Sequence, residues 1–169
     1  KIETLEKLSE LLGVSMPTLL GVGIEYMPSA VSYFERMRQL EESAEHIMVL
    51  SGPISFLLAS DQFLVMLDTV LKESLPLDLP ERDKALAQVD RIMAVLKQRK
   101  DTYHRRRPGI LNLISARALH RFIHNGMAGN ATLPPEELEA RKALARAEVE
   151  HFAQVIEEEA IGVQIGVVT

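Results

Sequence analysis

Residues 110–126, ILNLISARALHRFIHNG, decide which fold we expect for this chain. The stretch opens with five residues that form a short apolar run, and Ser115 follows as a residue that favours helix starts. Leu119 and Phe122 then begin an apolar stripe at helical spacing. Asn125-Gly126 is expected to close the helix, because both residues tolerate a left-handed turn. The stretch therefore predicts a buried strand that leads directly into an amphipathic helix.

A similar order of segments precedes this stretch in the chain. A long helix is expected to begin at Pro28-Ser29 and to continue through Met48, where Ser51-Gly52-Pro53 stops it. Ile54–Leu58 then forms a short apolar run that we interpret as a strand, and Ser60 is expected to cap the helix that follows.

The second and third long helices are expected before the two remaining strands. One covers residues 81 to about 105 and ends at Pro108-Gly109, just before the strand at 110–114. The other begins at Pro134-Pro135-Glu136 and ends near Glu158, and the run IGVQIGVV at 161–168 follows it as a third strand. The sequence therefore repeats a pattern of long helix, strand, serine and shorter helix about twice, and a third copy stops after its strand.

This spacing favours an α/β fold that is rich in helices. The strand starts lie roughly 50 to 55 residues apart, too far for hairpins, and two-helix connections suit parallel strands. We expect a small, mainly parallel sheet of about three short strands covered by helices. The alternative is an all-α fold in which the short apolar runs are buried loops.

Composition limits the function classes. The chain of 169 residues is 47% hydrophobic and 25% charged, with a formal net charge of −5, and it reads as an ordinary globular protein. It has no cysteine, which excludes disulfides, thiolate metal sites and a cysteine nucleophile. No apolar run approaches the roughly 18 residues of a membrane span and no signal-peptide pattern is seen, so a soluble cytoplasmic protein without membrane contact is expected.

The N-terminal segment IETLEKLSELLGVSMPTLL, residues 2–20, reads as two short helices. Its leucines follow helical spacing up to Gly13, where the helix is expected to end, and Ser15 is positioned to cap a second helix that contains Pro17. This pattern resembles the last two helices of the lambda-repressor-like helix-turn-helix domain of XRE-family transcriptional regulators. A generic helical hairpin is the alternative.

The resemblance implies a division of the chain and a function. Residues 1–21 would be the remnant of a helix-turn-helix domain, and residues 22–169 would sense an effector and form a homodimer. In the family, the helix that enters the DNA groove lies before these helices, so no DNA-recognition residue is expected within this chain. A chain that starts at Lys1, inside the pattern, indicates an N-terminus that is cleaved, disordered or trimmed, and operator DNA would bind through the missing helices.

A stripe of basic residues is the sharpest candidate for a ligand site. Arg117, His120, Arg121 and His124 follow one another at i, i+3, i+4 and i+7, which places them on one side of a helix. Guanidinium groups bind phosphate or carboxylate in bidentate fashion, and a helix start also attracts anions. The sequence predicts a small anionic effector at the following residues: Arg107, Ser115, Arg117, His120, Arg121 and His124. The alternative is a solvated helix face.

Sequence motifs give no reason to expect an enzyme. The run HRFIH at 120–124 has the i, i+4 histidine spacing but lacks the glutamate of the HExxH zinc motif, and no GxSxG, Walker or GxGxxG motif occurs. We therefore expect a non-enzymatic protein without metal or cofactor. Two other classes remain open: a ligand-free oligomerisation or interaction module, and a small α/β nucleotide-binding enzyme.

Overall fold

The computed structural model of the chain describes residues 2–12, 16, 27–50, 52–129, 133–158 and 160–169. The helices and strands in these ranges are as follows, in chain order: α1 Ile2–Leu12, α2 Ala30–Ser43, β1 His46–Val49, α3 Asp61–Glu73, α4 Arg82–Arg106, β2 Gly109–Ser115, α5 Ala116–Asn125, α6 Pro135–Glu157 and β3 Val163–Val168. The order of helices and strands confirms the helix-rich α/β fold and excludes the all-α alternative.

The three strands form one parallel sheet in the order β1-β2-β3. Ile47 pairs with Ile110, and Ile110 pairs with Val163, so one row of apolar residues crosses the whole sheet. The connection from β1 to β2 contains α3 and α4, and the connection from β2 to β3 contains α5 and α6. The predicted parallel sheet with two-helix crossovers is therefore confirmed.

Both crossovers cover the same face of the sheet. Ile110 and Ile114 of β2 belong to a core cluster with Tyr103 of α4 and Phe152 of α6. Crossovers in parallel sheets almost always have the same hand, and the strand order here follows the chain without reversal. The two helix pairs consequently lie on one side, which we call the covered face.

The opposite side, the open face, carries apolar residues that remain accessible. Met48 and Leu111 share a row on this face, since they pair in register, and so do Ser115 and Val168. Met48 is 64% exposed and Val168 is 50% exposed, whereas Ile110 on the covered face is 2% exposed. Parallel sheets are usually covered on both faces, so this surface is unusual for the architecture.

The first strand lies earlier in the chain than we predicted. Helix α2 ends at Ser43 rather than near Met48, and Ala44 is already extended. Residues 46–49 alternate between exposed and half-buried, which is the period of a strand, and they pair with β2. The predicted continuation of the helix through Ile47 and Met48 is therefore wrong.

The predicted strand at Ile54–Leu58 is also wrong. These residues form turns, in which Leu58 N–H donates to the Ser55 carbonyl at 3.0 Å and Ala59 N–H donates to the Phe56 carbonyl at 3.4 Å. The segment is apolar because it is core, and Leu57 is 1% exposed. The two turn hydrogen bonds and a contact from His151 Nε2 to the Leu58 carbonyl oxygen at 3.0 Å replace a strand partner for these backbone groups.

The other helices agree with the sequence. Ser60 caps α3 by accepting from Phe63 N–H at 3.1 Å, and Gly126 ends α5 with a φ of 67°. Ser115 stands just before α5 as expected, although its side chain makes no capping hydrogen bond. The first predicted N-terminal helix is present as α1, and the second, from Ser15 onward, lies outside the described residues.

Candidate functional site

The predicted basic stripe lies on α5, as its spacing requires. Arg117, His120, Arg121 and His124 are all exposed to solvent. The rings of His120 and His124 stack with their centroids 3.9 Å apart, and His124 Nδ1 lies 2.9 Å from the His120 carbonyl oxygen. The stripe is therefore one surface, but it is a convex helix face with high solvent access, and anion binding there stays a prediction.

Arg107 does not join that surface. It follows α4 in a left-handed conformation, with a φ of 47°, and lies just before β2 begins. Ser115 lies at the other end of β2, so the length of the strand, about 20 Å at ~3.3 Å per residue, separates Arg107 from Ser115 and the start of α5. The neighbouring Arg106 instead donates from Nη1 to the Glu41 carbonyl at 2.7 Å, which ties α4 to the last turn of α2.

A cavity of about 400 Å³ lies between α2, β1 and the turn segment at 54–57. Its walls are mainly apolar, and α2 supplies Tyr33, Phe34, Met37 and Leu40. Cavities of this size and character are typical small-molecule sites, in which a few polar groups fix the orientation of the ligand. We call it the α2 cavity.

An ion pair forms one wall of the α2 cavity. Arg99 of α4 donates to Glu41 of α2, from Nε at 2.7 Å and from Nη2 at 2.5 Å. The Arg99 side chain is 7% exposed and the Glu41 side chain is 14% exposed. The guanidinium carbon also lies 4.3 Å from the centre of the Phe56 ring, close enough for a cation–π contact. This pair therefore fastens α2 to the rest of the fold.

Ser55 adds a polar group without a partner. The residue is 3% exposed and lines the α2 cavity, and its hydroxyl oxygen has no hydrogen bond to any of the described residues. More than nine in ten buried polar groups in native proteins have a partner, and an unpaired one costs free energy. The hydroxyl oxygen itself has almost no accessible surface, so a molecule in the cavity does not reach it.

Arg99 lies in a segment, residues 97–107, that is rich in basic residues. This composition alone does not indicate that Arg99 is buried and paired with Glu41. Leu96, Arg99 and Tyr103 are all buried, because they follow the apolar stripe of α4 at helical spacing. A charged residue at a core position of a helix indicates a buried partner, and this signal was available. No comparable signal pointed to Ser55, whose segment resembled a strand.

A different cluster holds α6 in place. Glu148, which is 4% exposed, accepts from Ser60 N–H at 2.9 Å and from Ser60 Oγ at 2.5 Å, at the start of α3. Arg141 donates from Nη2 to Glu73 at 2.5 Å and to Glu137 at 2.9 Å. Burial opposes the charge of Arg141, but the hydrogen bonds to Glu137 and Glu73 outweigh it and raise the pKa of the guanidinium. These contacts serve the structure, because each of the named side chains bonds to another part of the fold or of its own helix.

Metal ligands do not converge in the described residues: no group of three or more His, Asp or Glu side chains there is placed to hold an ion. Among the same residues, no helix is both long enough and apolar enough to span a bilayer.

Comparisons with protein-family models, with curated proteins and with solved structures give no match.

Proposed function

We propose that this chain is the effector-sensing and dimerisation part of a cytoplasmic DNA-binding transcription regulator of the XRE type. It has no catalytic role in this proposal. The observation that carries it is the position of α2, which forms a wall of the α2 cavity and is the first described helix after the N-terminal segment at 2–20. A ligand in the cavity would therefore contact the helix that leads toward the DNA-binding part.

The attachment of α2 suits such a role. None of the residues of α2 is buried, and Glu41 supplies both its side chain to Arg99 and its carbonyl to Arg106. A helix held by few buried contacts is easily displaced or stiffened by a ligand. A ligand that binds more tightly when α2 is in one of two placements would then shift the equilibrium between two DNA-binding geometries.

The open face supports the dimer in this proposal. A two-fold dimer places the same surface of both copies in contact, and regulators with helix-turn-helix domains need two recognition helices about one DNA turn apart. A cavity of about 440 Å³ on this side of the sheet includes Met48, Leu111 and Gln164 in its lining. A second copy would cover these apolar groups.

DNA selection tests the regulator function, with a protein that carries before Lys1 the recognition helices that this proposal requires. We expect a random duplex library to yield a motif with two half-sites about one helical turn apart, and binding should weaken steeply as salt rises. The 169-residue chain alone is the control and should select nothing. If the full-length protein also enriches no sequence, the proposal is wrong.

Sedimentation of Leu111→Glu tests the dimer surface. The charge should convert the dimer to a monomer, because it would lie unpaired in the interface. Val65→Glu is the matched control, since Val65 is 69% exposed on α3 and away from the sheet. A dimer that survives Leu111→Glu would exclude the open face as the interface.

A ligand-free interaction module is the second candidate, and the open face favours it independently of the cavity. It predicts a dimer sensitive to Leu111→Glu in a full-length protein that selects no DNA sequence. The two candidates therefore give different results in the two experiments above.

A further inference from the structure

We infer that His120 and His124 of α5 form a two-imidazole site for a divalent transition-metal ion of the Cu²⁺, Ni²⁺ and Zn²⁺ class. The site lies on the surface, and water would supply the other ligands of the ion. This inference does not depend on the proposed function. It departs from the sequence-based expectation of no metal, and it uses the histidines of the basic stripe rather than its arginines.

The two histidines lie one turn apart on the same side of α5. Both residues are exposed, so an ion reaches them without any opening of the fold. The same i, i+4 spacing lets the two histidines of the HExxH motif bind zinc from one helix. The glutamate of that motif is the general base of the protease and does not bind the zinc. Its absence from HRFIH therefore argues against protease chemistry and not against metal binding.

The rings of the pair already lie close together. Their centroids are 3.9 Å apart, and the ring planes make an angle of 24°. A bond from a metal to an imidazole nitrogen is about 2.0–2.1 Å long, so two nitrogens up to about 4 Å apart can share one ion. Rings at this separation need only a change in side-chain rotation to present one nitrogen each to the same ion.

A hydrogen bond to the backbone prepares His124 for binding. Its Nδ1 lies 2.9 Å from the carbonyl oxygen of His120, and a carbonyl oxygen only accepts, so Nδ1 donates. The lone pair of the neutral ring is then on Nε2, which is the nitrogen left for a metal. Metal-binding histidines commonly donate their other N–H in this way, and the bond fixes the orientation of the ring. The ring of His120 makes no hydrogen bond to the described residues, so neither of its nitrogens is engaged.

The type of ligand selects the class of ion. Imidazole nitrogens suit Cu²⁺, Ni²⁺ and Zn²⁺, whereas Mg²⁺ and Ca²⁺ prefer oxygen ligands, and α5 contains no Asp or Glu. Arg117 and Arg121 repel a cation, but salt screens exposed charges over about 8 Å and both side chains are exposed. A site with two protein ligands holds an exchangeable ion, unlike the four-ligand sites of structural zinc.

Calorimetric titration of the 169-residue chain with metal chlorides tests the inference. The titration is done at about pH 7.5, because imidazole binds metals in its neutral form. We expect one Ni²⁺ per chain, tighter binding of Cu²⁺, and no binding of Mg²⁺. His120→Gln and His124→Gln should each weaken Ni²⁺ binding about 100-fold, since the second ligand acts at a high effective concentration once the first has bound.

Two variants are the controls. His104→Gln removes an exposed histidine of α4 that has no second histidine one turn away, and it should leave Ni²⁺ affinity unchanged. Arg117→Gln removes a positive charge from the basic stripe and no metal ligand, and it should leave Ni²⁺ affinity unchanged or raise it up to about threefold. All the substituted residues are exposed, so each variant is expected to fold, and circular dichroism checks this.

Thermal melts give a second readout. An ion that binds only the folded helix stabilises it, because the unfolded chain does not hold the two histidines one turn apart. Ni²⁺ at about 100 times its Kd should raise the Tm of the wild type by about 5 °C. The same concentration should not raise the Tm of His120→Gln or of His124→Gln.

Three outcomes would overturn the inference. The first is a Ni²⁺ affinity that neither His120→Gln nor His124→Gln lowers. The second is an equal loss in His104→Gln, which would indicate binding to single histidines. The third is an equal loss in Arg117→Gln, which would mean that the two imidazoles are not what holds the ion.

Discussion

Helices α2 and α6 are attached to the fold in different ways. Helix α6 buries Ala145, Glu148 and Phe152, and its buried Arg141 and Glu148 bond to Glu73 of α3 and to the α3 cap Ser60. Helix α2 buries none of its residues, although it packs along α4, where Glu41 bonds to Arg99 and Arg106. Both helices contribute to a buried ion pair, but only α6 also contributes to the core.

Because of this difference, we expect the two helices to contribute differently to the free energy of unfolding. Segments with core contacts open only when the whole domain unfolds, whereas segments with few buried contacts open locally. Elements that respond to ligands come from the second group. The cavity and its unpaired hydroxyl lie beside α2, where a structural change costs least.

The largest expected effect comes from removing one ring from each helix. Phe152→Ala should lower the free energy of unfolding by about 4 kcal/mol, because Phe152 is 3% exposed in the core. Phe34→Ala on α2 is the matched variant and should cost about 1 kcal/mol, since Phe34 is half-buried. Urea unfolding followed by circular dichroism measures both, and equal losses would contradict the comparison.

The ion pair is the next test. Arg99→Met should cost about 3 kcal/mol, because it leaves Glu41 unpaired and mostly buried. The double variant Arg99→Met, Glu41→Met should recover most of this loss, since apolar side chains replace buried pairs well. Protease cleavage within α2 should increase in the single variant alone. An unchanged rate of cleavage would mean that the pair does not hold α2.

We expect substitution by alanine to change the free energy of unfolding in opposite directions at Ser55 and Ser60. Ser55→Ala should raise the free energy of unfolding by about 1 kcal/mol, because it removes a buried hydroxyl without a partner. Ser60→Ala should lower it by about 1 kcal/mol, since Ser60 caps α3 and donates to Glu148. Thermal melts compare them, and a Ser55→Ala variant less stable than the wild type would show that the hydroxyl is already satisfied.

The smallest expected effect is a change in stability at acidic pH. The hydrogen bond from Lys100 lowers the pKa of Asp61, at the start of α3. A lowered pKa contributes stability above the unfolded value, about pH 4, and the contribution is lost as the pH falls through the folded value. Asp61→Asn should therefore flatten the fall in stability below about pH 4. Lys100→Met should flatten it as well, and a flattening in only one of the two would contradict this origin.

The part of the fold that the sequence predicted well is the stretch from β2 to α5. There the apolar run predicts the strand, and the following helix is bounded by Ser115 and Gly126, as the structure has it. Local signals were sufficient in this stretch. The first strand was misplaced because residues 46–50 and 54–58 are both apolar. Only pairing with β2 distinguishes them, and that partner lies more than 60 residues away, as in His46 with Gly109.

The candidate site was predicted only in part. Helical spacing placed the basic residues of α5 on one surface, since the period of a helix is local. The α2 cavity instead joins Phe34, Ser55 and Arg99 from three separate segments. Such convergence depends on tertiary packing, and the sequence carries little local trace of it.

Hydrogen exchange of the amides of α2 and α6 tests the central claim most directly. We expect the amides of α2 to exchange through local opening and those of α6 to exchange only with global unfolding. Equal protection of the two helices would contradict the account.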